Sequence, residues 1–135
     1  MMLPAGTVVP FERDPLPSTG DHLDTRILVM SGPNKGQRID PMTRPDLLNK
    51  IYIGNTPEDA VPLTTFSQSS GYGPRTAPAP GASTFHEGID WRIRSGQQIF
   101  VKDGERYYRE KGAGVVPITD DDGNKFELEL YHTED

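Results

Sequence analysis

The chain has 135 residues, the length of a single domain, no cysteine and a formal net charge of −6. Fourteen glycines and thirteen prolines, about a fifth of the chain, with hydrophobic residues at only 33%, disfavour a helix bundle and predict a thin core of short strands joined by turns. Disulfides and thiolate metal sites are excluded, and the acidic balance supplies no basic patch for a phosphate backbone, so no nucleic acid partner is expected.

Taken in chain order, the opening MMLPAGTVVPFERDPLP lacks the basic start and long apolar run of a signal peptide, and no later stretch reaches the ~20 apolar residues of a membrane span. Action outside a cytoplasm would therefore need another vehicle. Thr25–Met30 reads as a strand, Ser31–Gly36 as a turn and Arg38–Ile39 as the start of a short return strand. Thr43, followed by Pro45, offers an N-cap for a short helix through Leu48. Ile51–Ile53 reads as a strand and Gly54–Leu63 as an exposed connection. Ser67–Thr84 is too rich in Gly, Pro and Ser for regular structure, and fits a disordered linker or a long ordered loop beside a site. Gln98–Val101 and Tyr107–Tyr108 are candidate strands. Val115–Ile118 and Phe126–Tyr131 flank an Asp-Gly turn, Asp120–Asn124. In the last strand Phe126, Leu128 and Leu130 share one face, and His132 continues their parity. The expected class is mainly β: one domain of antiparallel sheets with long loops and few short helices.

Three histidines carry the chemistry. His22 and Asp24, two apart at the head of a strand, share a face; His86 and Asp90 occur as His-Glu-Gly-Ile-Asp, with Gly88 permitting a tight bend; His132 ends the last strand. Glu87 between His86 and Asp90 reads as a solvated carboxylate, Arg75 as structural and Trp91 as packing. The acidic run Asp120–Asp122 lacks the spacing and closing Glu of a calcium loop.

The segment Ser70-Gly71-Tyr72-Gly73-Pro74-Arg75, a Pro/Gly loop, Phe85-His86-Glu87-Gly88-Ile89-Asp90 and Ser95-Gly96-Gln97-Gln98-Ile99 together resemble the lysostaphin-type zinc endopeptidases of bacterial cell walls. Leu130-Tyr131-His132 is similar to that family's Tyr-x-His, without the spacer. The family's closing segment has its counterpart at the N-terminus. There Ala5-Gly6-Thr7-Val8-Val9 and Ser18-Thr19-Gly20-Asp21-His22-Leu23-Asp24 resemble its strand and its Ser-Thr-Gly-x-His-Leu-His. The resemblance implies a circularly permuted domain over residues 1–135. Residues 3–45 would be equivalent to the family's C-terminal segment, 46–66 would be the new connection, and 66–132 would be its N-terminal and central parts.

The resemblance further implies zinc held by His86, Asp90 and Asp24, with His22 and His132 assisting as catalytic groups. One of these would take a proton from the attacking water or stabilise the oxyanion, and the other would orient it. Asp24 stands where the family has His. It leaves three readings: a one-His, two-Asp zinc site, a weakened site, or a site without metal. Asp is also shorter than His, so its reach is in question.

The implied function is a peptidoglycan-directed zinc metallopeptidase-like domain that cleaves or binds cell-wall peptide cross-bridges, its catalysis retained, reduced or lost. The alternative is a non-catalytic structural or binding component on the same fold, for example a phage tail or virion protein, whose partner is another structural protein. A third reading is an acidic β-domain that binds a partner through Tyr72–Ala82. Virion delivery would account for a wall-active domain without a signal peptide.

Overall fold

Antiparallel pairing dominates the protein. A computed structural model describes residues 2–3, 8–9, 22–74, 85–94, 97–102, 104, 106–108 and 113–133. The strands are β1 (Met2–Leu3), β2 (Val8–Val9), β3 (His22–Val29), β4 (Arg38–Ile39), β5 (Ile51–Gly54), β6 (Val61–Pro62), β7 (Gln68–Ser70), β8 (Gly73–Pro74), β9 (Phe85–His86), β10 (Ile89–Arg92), β11 (Gln98–Val101), β12 (Arg106–Tyr108), β13 (Ala113–Thr119) and β14 (Lys125–Thr133). The larger sheet runs β1-β12-β13-β14-β3-β10-β7, with β4 also paired to β3. A four-stranded sheet runs β2-β11-β5-β6, and β8 pairs with β9. The fold is mainly β with few short helices, as the composition implies.

Strand parity divides the larger sheet into two chemically different faces. Leu23, Ile27 and Val29 of β3, Phe126, Leu128 and Leu130 of β14, Val116 and Ile118 of β13, and Ile89 and Trp91 of β10 are buried on one face. They join Ile51, Ile53, Ile99 and Val101 of the smaller sheet in one hydrophobic cluster, which Leu47, Leu48 and Leu63 complete. The other face carries Asp24, Arg26, Glu127, Glu129, Tyr131 and Asp90.

The helical region departs from the expected cap. Pro41–Thr43 forms a 3-10 turn capped by Asp40, whose carboxylate accepts from the Met42 N–H. The Thr43 hydroxyl donates to the Asp40 carbonyl at 2.6 Å and is committed to that turn. The α-helical turn Pro45–Leu48 therefore starts at Arg44, without a side-chain cap. The expected exposed connection after Gly54 contains β6 and ends in the fully buried Leu63. Within Ser67–Thr84, Gln68–Ser70 forms a strand because β10 supplies its hydrogen-bonding partner; residues 75–84 lie outside the described residues.

The β13–β14 hairpin is closed by the expected Asp-Gly turn, with Gly123 at φ 86°. The Asp120 carboxylate accepts from the Asp122 and Asn124 N–H groups, from the Asn124 side-chain amide and from Arg44 at 3.0 Å. Arg44 also stacks on Phe126, 4.7 Å from the ring centre. The Asn124 amide first, then the backbone and Arg44 bonds, hold the Asp120 carboxyl down at about 2. A lowered pKa contributes stability above the unfolded value near 3.8, and that contribution is lost as pH falls through about 2. Asp120→Ala is expected to lower the melting temperature at pH 7, and its gap from the native protein should narrow between pH 4 and 2 in thermal scans. A pH-independent gap would remove the Asp120 charge from the turn's stability.

Candidate metal centre

The site is built where β3 meets β10. Asp24 lies directly opposite Asp90 in this antiparallel pair, and Tyr131 of β14 lies opposite Asp24 on its other side. Direct partners share a face, so the two carboxylates meet on the polar side of the sheet. His86 arrives from β9, just before the bend that leads into β10.

Asp24, His86 and Asp90 are each about 3% exposed, and one ligand atom from each lies within 4.8 Å of the others. The His86 Nε2 is 3.5 Å from Asp24 Oδ2 and 3.5 Å from Asp90 Oδ1. Its Nδ1 is 3.0 Å from the Gly71 carbonyl and 3.3 Å from the Ser70 hydroxyl. A carbonyl only accepts, so Nδ1 carries the proton, and in the neutral ring Nε2 turns its lone pair towards the carboxylates. The 3.5 Å separations exceed the ~2.7–2.9 Å of a charge-assisted hydrogen bond. They are close to the ~3.3–3.5 Å between two ligands that each sit about 2.0–2.1 Å from a tetrahedral ion. This group of one imidazole and two carboxylates could hold a metal ion.

Gly88 lets the bend close. A Cβ there would collide with the Asp24 carboxylate, come within 2.6 Å of the Arg26 Cγ and within 2.8 Å of the Thr25 carbonyl. Arg26 clamps Asp24: its Nη2 donates to Oδ2 at 2.9 Å, and its Nε lies 3.2 and 3.3 Å from the two oxygens. Burial works against the Arg26 charge, but the hydrogen bond and charge of Asp24 leave its pKa raised.

A polar network extends from this clamp along the same face. The Arg26 guanidinium lies 5.6 Å from the Tyr131 ring centre, and the Tyr131 hydroxyl donates to Glu129 at 2.6 Å. Glu129 is fully buried and accepts from Arg38 at 2.8 and 3.2 Å. Burial, then the bond to Glu129, pushes the Tyr131 phenol up to about 12. Glu87 is half exposed and takes Arg38 at 2.8 Å, which fits a solvated carboxylate.

The structure thus brings together Asp24, His86 and Asp90. His22 lies two residues before Asp24 on β3, opposite Arg92 and Thr133. His132 stands opposite Leu23, and Tyr131 occupies the row of Asp24; the His132 side chain lies outside the described residues. Arg26, Glu129 and Tyr131 are not among the candidate site residues that the sequence marks. The i, i+2 relation of Asp24 and Arg26 was the available signal for the first of them.

No family model, curated protein or solved structure matches the chain.

Two outcomes follow from this geometry. Gly88→Ala is expected to cost about 1–3 kcal/mol of stability through overpacking and to displace Asp24, measurable as reduced affinity for divalent metals in calorimetry. Glu129→Ala, which strips Arg38 and Tyr131 of their buried partner, is expected to cost about 3 kcal/mol in denaturant unfolding, and Glu129→Gln less. A Glu129→Ala protein as stable as the native one would show that the network contributes nothing to the fold.

Proposed function

We propose that the chain is a zinc metallopeptidase-type domain directed at the peptide cross-bridges of bacterial cell walls, with His86, Asp90 and Asp24 as the metal ligands. One observation carries the reading. Asp24, 62 positions before His86, lies beside His86 and Asp90, and the three form a buried group that could hold a metal ion. The donor set also suits zinc, which accepts imidazole nitrogen and carboxylate oxygen together.

Bound there, zinc would supply Lewis-acid polarisation of a peptide carbonyl. The chain's own residues do the rest. Gly71 and Ser70 hold the His86 ring and fix which nitrogen presents its lone pair. Gly88 leaves room for the two carboxylates to approach the imidazole. Within this reading His22, on the strand and parity of Asp24, would accept a proton from the attacking water.

A second reading is a non-catalytic module on the same scaffold, such as a structural component of a phage tail or virion. The Arg26–Asp24 pair favours it, because a guanidinium already compensates one of the two buried carboxylates.

Calorimetry with zinc, run beside hydrolysis of purified peptidoglycan, separates the readings. The native protein is expected to bind one zinc. His86→Ala and Asp24→Ala are each expected to weaken binding by at least about 100-fold, since each removes one of three ligands. Binding accompanied by release of cross-bridge peptides establishes the peptidase. Binding without release establishes the module. Affinity that is unchanged in His86→Ala overturns the metal centre.

A further inference from the structure

We infer that Arg26 is a built-in counter-charge of the metal centre, a positioning residue that holds Asp24 in place while keeping cation affinity below what the three ligands alone would give. The inference rests on the Asp24–His86–Asp90 centre proposed above and concerns how strongly it binds.

The argument begins with shared atoms. Asp24 Oδ2, the oxygen 3.5 Å from His86 Nε2, is also the oxygen that accepts from Arg26 Nη2 at 2.9 Å. Any cation held by Asp24 therefore sits close to a guanidinium and competes with it for the same carboxylate. Arg26 cannot easily withdraw. Its guanidinium lies over Tyr131, Tyr131 is tied to Glu129, and Glu129 is tied to Arg38. Its other available anion, Glu87 at 3.7 Å, is half exposed and is already engaged by Arg38 at 2.8 Å.

The charge arithmetic gives the consequence. A donor set of one neutral imidazole and two carboxylates counts −2, and Arg26 returns it to −1. That is the charge of a two-imidazole, one-carboxylate donor set, which is common among catalytic zinc sites. The arginine thus offsets the extra carboxylate that a one-His, two-Asp set carries. A purely structural ion pair and a counter-charge make opposite predictions once the guanidinium is removed. Loss of mere orientation loosens metal binding, whereas loss of a nearby positive charge tightens it.

The test is zinc affinity, measured by competition with a chromophoric chelator, for the native protein, Arg26→Gln, Arg26→Met and Arg26→Lys, with circular dichroism as the check on folding. Arg26→Gln and Arg26→Met are expected to bind zinc about tenfold or more tightly, because a unit charge has left the neighbourhood of a divalent ion. Arg26→Lys, which keeps the charge, is expected to stay within about threefold of the native value. Zinc binding by the neutral variants alone, with none by the native protein, would also support the counter-charge.

Weaker or unchanged binding in the neutral variants overturns the inference and leaves the metal centre standing, provided that the native protein binds and His86→Ala does not. Loss of the folded spectrum in both neutral variants makes Arg26 a structural residue and likewise overturns it. No zinc binding by the native protein or any folded Arg26 variant removes the metal centre itself, and the inference with it.

Discussion

Two buried carboxylates set directly opposite each other are the constraint around which the polar face of this protein is organised. Asp24 and Asp90 are register partners, each about 3% exposed. Like charges in that relation repel, and ionised groups removed from water are costly without partners. The surroundings answer both problems. The His86 imidazole comes in from a separate two-stranded hairpin, and the Arg26 guanidinium comes from the same strand. Gly88 contributes by having no side chain. A slip of one residue between β3 and β10 would set Asp24 against Ile89 or Trp91 in place of Asp90, so the hydrophobic face and the site specify the same register.

The parts of this arrangement that were legible in the sequence are those encoded by local spacing. Phe126, Leu128 and Leu130 alternate along a strand and are only 5%, 0% and 2% exposed. His86 and Asp90 are separated by one bend, and Asp24 was singled out through its motif. The illegible part is tertiary. Alternation assigns Glu127 and Glu129 to the face opposite the leucines, yet both are buried, 6% and 0% exposed. Parity states which residues share a face and not whether that face is covered. Arg38, which pairs with Glu129, is 91 positions away, and no window of sequence joins them. Parity also places His132 with the leucine stripe, and the register agrees in setting it opposite Leu23, one residue out of the Asp24 row.

The buried Glu129–Arg38–Tyr131 network acquires a purpose in this light. Isolated buried ion pairs are weak evidence for stability, because desolvation offsets much of their attraction. Here the network ends at the Arg26 guanidinium, beside the Asp24 carboxylate. A side chain as long as arginine loses considerable rotamer freedom when fixed. Stacking over Tyr131 and confinement between Asp24 and Glu87 restrict it before any ligand arrives. The stability held in Glu129 thus serves the placement of the charge on Arg26, its register partner on β3.

The short side chain at position 24 is coherent in the same terms. From the sequence, an aspartate where a histidine is expected raised the question of reach. The β3–β10 pairing removes it, since the strand itself carries the Asp24 carboxylate to 3.5 Å from the His86 ring. The Gly88 backbone then closes over that carboxylate, so tightly that even a methyl group would collide with it. A longer ring at position 24 would have to occupy space now divided between Gly88 and the stem of Arg26. Asp24, Arg26 and Gly88 therefore form a matched set: the small acid makes room for the close bend, the bend seals the acid from water, and the arginine supplies the charge that a sealed acid requires.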